Sequence, residues 1–361
     1  MDEICMQHAD RSDSTFLSSL PLAQSTIDYD VAGRGDEHLI ERLMERDSTR
    51  IVLVRNASVA VPLQEGTRAV GELACSMDPA APRPDAQAPA GPMELAFLRG
   101  PQVRACSALD ACLSVLLGWD RAADPAVPFV ALDVSELFEV DDSLCSLPVH
   151  PLFEHLDWVE LRSFAPCASA RDAGLATSAV AVCTWHRQQR FCPFCGSPVR
   201  PILSGWAQTC TNLNDSDRLL FPRIEPAVIT AIVDDADRLL LQHNRAWRPH
   251  FHSVSAGFVE AGESLERAVR REAAEEVGVT LDDVHYLGSQ PWPFPASIML
   301  GFRAHAATTQ IRVDHDEVES ARWFTRAELA RAIASGEVEP PGRASIARHM
   351  IEQWYGGPLP A

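Results

Sequence analysis

One segment constrains the fold of this chain more than any other: residues 257–279, which read GFVEAGESLERAVRREAAEEVGV. Its spacing predicts a loop followed by a helix over residues 264–277, with Gly278 at the left-handed position that ends a helix. At 3.6 residues per turn, one stripe of this helix is apolar and consists of Val269, Ala273 and Val277. The segment therefore predicts a helix whose apolar stripe packs on a sheet.

Three carboxylates lie beside that stripe. Glu272, Glu275 and Glu276 occupy positions i, i+3 and i+4 of the predicted helix, so their charges repel one another by roughly a few tenths of a kcal/mol per pair. Taken alone, the cluster favours a solvated acidic surface. However, Glu263 on the preceding loop and Arg271 beside the cluster can pair and clamp the loop against the helix. The combination favours a site for a compensating cation.

The spacing of these residues resembles the Nudix box. It has Gly257, five residues, Glu263, seven residues, and then Arg271 followed by EAAEEVGV. The resemblance implies a Nudix hydrolase, which is an α/β/α sandwich whose loop-helix-loop holds divalent metals and cuts a nucleoside diphosphate linked to another group. In this pattern Gly257, Glu263, Arg271 and Gly278 are structural residues.

The chemistry that the resemblance implies depends on oxygen ligands. Such ligands at helical spacing suit Mg²⁺ or Mn²⁺, which bridge diphosphate oxygens and lower the pKa of a bound water. By position, two or more ions per site are held by Glu272, Glu276 and the backbone carbonyl of Ala256. Glu275 is either a third ligand or the group that orients and deprotonates the attacking water. Glu317, in the later sequence DHDE, matches an additional ligand or base, with a plain surface glutamate as the alternative.

A second motif, SQPWPFPAS, follows at residues 289–297. Read as structure alone, three prolines and two aromatic rings indicate a stiff loop that either stacks a flat heterocycle or packs its rings on its own core. The motif resembles, letter for letter, the signature SQPWPFPxS of the NADH pyrophosphatase branch of the Nudix family. Members of that branch hydrolyse NAD(H) to a nicotinamide mononucleotide and AMP. They also remove NAD caps from RNA 5′ ends, leaving a 5′-monophosphate.

The same resemblance implies which residues contact the substrate. By position they are Gln290, Pro291, Trp292, Pro293, Phe294, Pro295, Ala296, Ser297, Phe258, Phe221 and Ala347. For each of them the alternative is packing within the core or a loop. Two other functions remain open: a Nudix hydrolase of ADP-ribose, FAD or another dinucleotide, and a nucleotide-sensing or RNA-binding module without catalysis. The complete set of box carboxylates disfavours the second.

The cysteines suggest a separate metal site. Cys192 and Cys195 in CPFCG, followed by Cys210, match the opening of a zinc ribbon, which needs four ligands for a tetrahedral Zn²⁺ site. The family pattern places a fourth cysteine where this chain has Leu213. Other residues able to complete the shell are Asp215, His186 and Cys183. No spacing rule selects one of them, so zinc binding and a ribbon held by packing alone both stay open.

The expected fold class is α/β, with four parts: an α+β N-terminal domain at 1–165, a linker helix at 166–190, a zinc-ribbon-like module at 191–224 and a catalytic Nudix sandwich at 225–355. Strands are predicted at Ile51–Val54, Glu94–Leu98, Phe129–Val134 and Ile298–Ala304, and a hairpin at Ala227–Val233 and Leu239–Gln242. Helical spacing is found at Gln102–Leu117, at Ala168–His186 and around Ile346 and Ile351. Residues 78–92 indicate a loop, and no internal repeat is visible.

Charge and length limit the partners. The chain has 361 residues and a formal net charge of −19, which argues against a broad basic groove for nucleic acid. Any RNA is therefore expected to be recognised at its cap and first nucleotides only. The chain has no run of 18 apolar residues and no secretory signal, which predicts a cytoplasmic protein without a membrane partner. The family tends to form homodimers, so the resemblance implies a homodimer.

Overall fold

The computed structural model describes residues 20–63, 91–138, 151–215 and 218–360. The helices of this part are α1 (Leu39–Met44), α2 (Gly100–Arg104), α3 (Leu161–Phe164), α4 (Ala170–Gln188), α5 (Leu265–Glu276), α6 (Arg326–Ala334) and α7 (Ile346–Tyr355). None of the helices in the described residues is both long and apolar enough to span a membrane. The compartment stays a prediction, and most of the predicted loop at 78–92 lies outside the described residues.

The first sheet has the strand order β4-β5-β1-β2-β6, with β3 paired to β1. Its strands are β1 (Arg50–Arg55), β2 (Ser58–Pro62), β3 (Phe97–Arg99), β4 (Leu113–Asp120), β5 (Val127–Asp133) and β6 (Leu156–Glu160). In β1, Ile51 and Leu53 face one buried cluster, whereas Val52 and Val54 face another. Both faces of the sheet are therefore covered, which explains why this strand is a continuous apolar run and not an alternating one.

The second sheet has the strand order β13-β14-β10-β11-β15, with β12 paired to β10. Its strands are β10 (Glu225–Val233), β11 (Leu239–Asn244), β12 (Ser255–Phe258), β13 (Leu281–Trp292), β14 (Ser297–Ala306) and β15 (Val318–Phe324). The predicted hairpin is confirmed as β10 and β11. Its turn is closed by Asp234, whose backbone N–H donates to the carbonyl of Arg238 at 3.1 Å.

Helices cover both faces of the second sheet. On one face, α5 contributes Val269 and Ala273 to a buried cluster that includes Val228 of β10. On the opposite face, α7 contributes Met350 to a cluster that includes Ile229, the next residue of β10. The expected α/β/α sandwich is therefore confirmed.

The two large sheets share one topology. In each, the first strand in chain order is antiparallel to the second and third and parallel to the fifth. The fourth strand then pairs with the fifth, and the sixth with the second. The structure therefore contains a repeated topology that is not visible as a repeat in the sequence. The units differ where α5 lies, because between its third and fourth strands the first unit has α2, five residues long with the sequence GPQVR and no carboxylate.

Most of the stretch from Gln102 to Leu117 was wrongly expected to be helical. The helix α2 ends at Arg104, and β4 begins at Leu113. Within β4, Val115 and Leu117 join one core and Leu116 joins the other, so the strand shows no polar alternation. The predictions for β1, β5, β14, α4 and α7 are confirmed, and the strand expected at Glu94–Leu98 corresponds in part to β3.

A small sheet of β7 (Val199–Ile202), β8 (Ala207–Cys210) and β9 (Leu219–Leu220) forms the ribbon. It is anchored on the first sheet, because the indole N–H of Trp206 donates to the carbonyl of Leu116 at 2.6 Å. The preceding Gly205 has a φ of +91°, and a Cβ there would lie 2.8 Å from the side chain of Val115. A larger residue at position 205 would therefore have to displace Val115.

Candidate active site

The helix α5 has the termini that the sequence predicts. The hydroxyl oxygen of Ser264 accepts a hydrogen bond from the backbone N–H of Arg267 at 3.3 Å, which caps the first turn. At the other end, Gly278 follows the last turn with a φ of +70°. The predicted helix over residues 264–277 is therefore confirmed to within a residue at each end.

Gly257 lets β12 approach this helix. A Cβ placed on Gly257 would lie 2.0 Å from the carboxyl carbon of Glu272. No larger residue fits there unless the carboxylate moves. The predicted structural role of this glycine thus has a physical basis, the close contact between a strand backbone and a functional side chain.

Arg271 joins the loop to the helix. Its Nη2 atom donates to a carboxylate oxygen of Glu263 and to the carbonyl of Phe258, both at 2.9 Å. Its Nη1 atom donates to Glu272 at 2.8 Å and to Glu275 at 3.0 Å. The hydrogen bonds from Arg271 hold the pKa of Glu263 below its ordinary value. One guanidinium therefore orients three carboxylates, and its hydrogen bond to Glu263 is the predicted clamp between the loop and the helix.

Glu276 is the most buried of the box carboxylates, with 4% of its surface exposed. One of its oxygens accepts a hydrogen bond from the side-chain amide of Gln242 at 3.0 Å, and the other accepts from the hydroxyl of Ser255. Burial raises the pKa of Glu276 from 4.5 to about 7, against the opposing effect of these two hydrogen bonds. A cation is needed here if the carboxylate is to be ionised at a small free-energy cost.

Glu317 comes from a different part of the chain and meets the same cluster. Burial raises the pKa of Glu272, and the negative charge of Glu317 adds to that effect at both Glu272 and Glu276. The side-chain amide of Asn244 donates to Glu317 at 3.0 Å and orients it. Within the described residues, the oxygens of these glutamates do not form a group of three within 4.8 Å of one another.

The backbone of β12 places Ala256 between the two buried carboxylates. Its neighbour Ser255 donates to Glu276, and its other neighbour Gly257 is in contact with Glu272. The carbonyl of Ala256 is thus part of the strand segment that touches both glutamates. Its role as a metal ligand stays a prediction.

The motif at residues 289–297 lies where β13 turns into β14. The rings of Trp292 and Phe294 pack edge to face, with their centroids 5.1 Å apart. The guanidinium carbon of Arg162, which belongs to α3, lies 4.1 Å from the centroid of Phe294 and 5.0 Å from that of Trp292. Both rings also pack on the core of the first unit. The structure therefore ties this loop to the first unit, and its contact with substrate stays a prediction.

The other predicted substrate contacts differ in exposure. Phe258 and Phe221 are more than half exposed, so their rings are accessible. Gln290 is fully buried, and its amide donates to the carbonyl of Ala344 at 2.6 Å. Ala347 is buried in the α7 cluster, and its backbone N–H donates to the hydroxyl oxygen of Ser345 at 3.2 Å. Gln290 thus joins β13 to the segment that precedes α7, and the hydrogen bond of Ala347 caps that helix.

The remaining residues of the motif line its loop. Pro291 and Pro295 are exposed, Pro293 is buried, and Ala296 and Ser297 are half-buried. The carbonyl of Ala296 accepts the backbone N–H of Glu225 at 2.9 Å, and Ser297 begins the parallel pairing of β14 with β10. The loop is thereby joined to the central strand of the sandwich.

The three cysteines predicted as ligands converge at the ribbon. The Sγ atoms of Cys195 and Cys210 are 3.4 Å apart, and the Sγ atom of Cys192 is 3.6 Å from a carboxylate oxygen of Asp215. The four ligand atoms all lie within 4.8 Å of one another. Leu213, where the family pattern has a cysteine, is 90% exposed.

Three family models match the chain: a NUDIX domain over residues 223–347, an NADH pyrophosphatase-like rudimentary NUDIX domain over residues 48–185, and an NADH pyrophosphatase zinc ribbon domain over residues 187–212. Residues 223–347 therefore form a Nudix domain. The second match accounts for the repeated topology, because the first sheet is a Nudix-like unit in which a short helix without carboxylates stands in the place of α5.

Two curated relatives are similar to about half of the chain. The chain is 42% identical over 205 residues to the NAD-capped RNA hydrolase NudC of Mycobacterium bovis (strain BCG / Pasteur 1173P2), a match that covers 54% of this chain and 64% of that protein. It is 38% identical over 194 residues to the human NAD-capped RNA hydrolase NUDT12, which covers 51% of this chain and 42% of that protein. The chain thus spans less than two thirds of the relatives it matches.

Several residues of this Nudix site were not foreseen from the sequence. Gln242 and Ser255 hold Glu276, Asn244 holds Glu317, and Arg162 covers the aromatic loop. Only Gln242 carried a signal, because it follows three leucines in a strand where a buried polar side chain needs a partner. Arg162 is more than 100 residues away in the chain, and no spacing rule connects it to the loop.

Proposed function

We propose that this chain hydrolyses the diphosphate of NAD(H) to a nicotinamide mononucleotide and AMP, and that it removes NAD caps from RNA 5′ ends to leave 5′-monophosphate RNA. The observation that carries the proposal is a complete set of box carboxylates on α5, in the same sandwich as the motif SQPWPFPAS. The zinc ribbon match and the names of the relatives support the same assignment.

Divalent cations fit the donor set of this site. Glu272, Glu276, Glu317 and the carbonyl of Ala256 offer only oxygen, which suits Mg²⁺ or Mn²⁺. Glu276 is buried, its pKa is raised, and each of its oxygens accepts a hydrogen bond. A bound cation would therefore lower the free-energy cost of ionising this carboxylate. When bound, such ions offset the charge of the diphosphate and lower the pKa of water.

The proposed roles of the side chains follow from their exposure. Glu272 and Glu276 are held by Arg271 and by Gln242 with Ser255, so they are ligands in fixed orientations. The side chain of Glu275 is 61% exposed, so water can reach its carboxylate while Arg271 holds one of its oxygens, and we assign it the role of orienting a water molecule and accepting its proton. That water attacks one phosphorus, the bond to the bridging oxygen breaks, and two monophosphates leave.

Variants of the helix test this assignment. Glu276→Gln and Glu272→Gln should each reduce NADH hydrolysis by at least tenfold, because a ligand is lost. Glu275→Gln should lower kcat while the Mg²⁺ concentration at half-maximal rate stays unchanged. Glu266→Gln, an exposed position on the same helix, is the matched control and should match wild type. Wild-type rates for both ligand variants would contradict the proposal.

We also propose a homodimer and retain the four predicted parts, with boundaries at 1–165, 166–190, 191–224 and 225–355. The ribbon and the start of the Nudix sheet carry large apolar side chains that are more than half exposed: Phe191, Phe194, Phe221, Ile224 and Phe258. Exposed apolar side chains of this number support an interaction surface. Light scattering of the full chain should give the mass of two chains, and Ile224→Asp should give that of one. A monomeric wild type at micromolar concentration would contradict the dimer.

A further inference from the structure

We infer that Asp215 is the fourth ligand of a zinc site built from Cys192, Cys195 and Cys210, so that this ribbon binds zinc through three thiolates and one carboxylate. The inference goes beyond the proposed hydrolysis, because the ribbon contributes no residue to the chemistry argued above. It also departs from the pattern of four cysteines that the family resemblance implies. In this chain the ligand is displaced by two residues from position 213 to position 215.

Two separations within this group of four atoms are close to those around a tetrahedral ion. With bonds of about 2.3 Å to sulfur and 2.0 Å to oxygen, two sulfur ligands lie about 3.8 Å apart, and a sulfur and an oxygen about 3.5 Å apart. The Sγ atoms of Cys195 and Cys210 are 3.4 Å apart, and Cys192 Sγ is 3.6 Å from Asp215 Oδ2. Two sulfurs at 3.4 Å are not joined by a disulfide, whose bond length is about 2.0 Å.

The carboxylate of Asp215 is oriented for this role. Its other oxygen, Oδ1, accepts a hydrogen bond from Nε of Arg218 at 2.8 Å, which leaves Oδ2 directed to the thiols. Arg218 is itself held over the ring of Phe194, with 3.7 Å between the guanidinium carbon and the ring centroid. Partners that orient a ligand in this way are a regular feature of metal sites. A carboxylate in place of a thiolate also leaves the total ligand charge unchanged.

The knuckle around the first two cysteines has the geometry of a ligand-bearing turn. The backbone N–H of Gly196 donates to the carbonyl of Cys192 at 2.9 Å, and Gly196 adopts a φ of +72°. The N–H of Cys192 donates to the carbonyl of Ser197 at 2.8 Å, which closes the turn. At the other end, the N–H of Asn212 donates to the sulfur of Cys210 at 3.4 Å, as to a thiolate.

The two competing ligands are engaged elsewhere. The Nε2–H of His186 donates to the carbonyl of Gly205 at 2.8 Å, and its Nδ1 accepts from the amide of Gln208 at 2.9 Å. Both ring nitrogens are therefore occupied. Cys183 is fully buried in the apolar core that α4 forms with the first sheet. Leu213 has no ligand atom, so among the described residues the cluster points to Asp215 alone.

Metal content and cobalt spectra of the full chain test the inference. The purified wild type should contain one zinc per chain, and Asp215→Ala should bind zinc at least tenfold more weakly in competition with a chromophoric chelator. Asp235→Ala, which removes an exposed carboxylate outside the ribbon, should bind zinc as the wild type does. Equal affinity of Asp215→Ala and wild type would overturn the inference, as would a wild type without zinc that carries a Cys195–Cys210 disulfide.

A gain-of-ligand variant keeps the test independent of folding. In Asp215→Cys the fourth ligand becomes sulfur, so the cobalt-substituted protein should show stronger sulfur-to-cobalt charge-transfer bands than the wild type, with visible bands still at tetrahedral intensity. Identical cobalt spectra for wild type and Asp215→Cys would show that position 215 does not touch the metal. NADH hydrolysis is not the readout, so failure here leaves the proposed function untouched.

Discussion

Replacing Glu276 by glutamine should raise stability and abolish catalysis together. A pKa that rises from 4.5 to about 7 corresponds to about 3 kcal/mol, which is the cost of ionising this buried carboxyl in the folded, magnesium-free protein at high pH. Glutamine cannot ionise, yet its carbonyl oxygen can accept from Gln242 and its amide can donate to Ser255. The variant should therefore avoid the free-energy cost of ionisation and keep the hydrogen bonds with Gln242 and Ser255.

The sign of the pH dependence follows from the direction of the pKa. Because the folded-state pKa of Glu276 is the higher one, its contribution to stability is complete below about pH 4.5 and is lost as the pH rises through about 7. Wild type and Glu276→Gln should therefore unfold alike at pH 4.5. At pH 8 the variant should be more stable by up to about 3 kcal/mol. Added Mg²⁺ should then stabilise the wild type only.

The difference in the free energy of unfolding between wild type and Glu276→Gln can be measured by urea unfolding. Tryptophan fluorescence follows the transition at pH 4.5, 6, 7 and 8 in magnesium-free buffer. Glu266→Gln on the same helix is the control and should follow the wild type at every pH. Chelators are omitted because they would also remove zinc from the ribbon. Equal free energies of unfolding for wild type and Glu276→Gln at pH 8 without magnesium would refute this reasoning. They would show that ionisation of the buried Glu276 does not destabilise the magnesium-free protein.

Three further perturbations address other parts of the site. Arg271→Lys cannot orient Glu263, Glu272 and Glu275 at once, so NADH hydrolysis should fall by at least tenfold; an unchanged kcat/KM would contradict the clamp. Arg162→Ala removes the guanidinium that packs on the rings of Trp292 and Phe294, so KM for NADH should rise more than kcat falls. Equal KM values for wild type and Arg162→Ala would show that the loop keeps its conformation without Arg162. Binding of NAD-capped RNA to Glu276→Gln should weaken less than tenfold between 50 and 200 mM salt, because a chain of net charge −19 makes few contacts with the RNA phosphates. A loss of affinity of about 10³ over this range would contradict this prediction.

The helix α5 was predictable because local chemistry determines it. The cap at Ser264, the apolar stripe and the stop at Gly278 are all short-range features, and each lies where the sequence placed it. Glu317 lies near the cluster, since its charge raises the pKa values of Glu272 and Glu276, and its role as a ligand or base stays a prediction. Local pattern and family resemblance together therefore gave the fold of the second half.

Long-range contacts were not predictable in the same way. The shared topology of the two sheets has no counterpart in repeated sequence, because strands such as β1 and β4 are buried on both faces and any apolar residue serves there. The packing of Arg162 on Trp292 and the approach of Asp215 to Cys192 also depend on how distant segments meet. The sequence offered three candidates for the fourth zinc ligand, and only distances separate them.

Mass spectrometry of reaction products tests the central claim most directly. NADH, ADP-ribose and NAD-capped RNA are each incubated with wild type and with Glu276→Gln, in Mg²⁺ and in Mn²⁺. The wild type should convert NADH to a nicotinamide mononucleotide and AMP faster than it cleaves ADP-ribose at equal concentration, and should release a nicotinamide mononucleotide and 5′-monophosphate RNA from the capped RNA. Faster cleavage of ADP-ribose, or binding of all three substrates without any multiple-turnover product, would contradict the account.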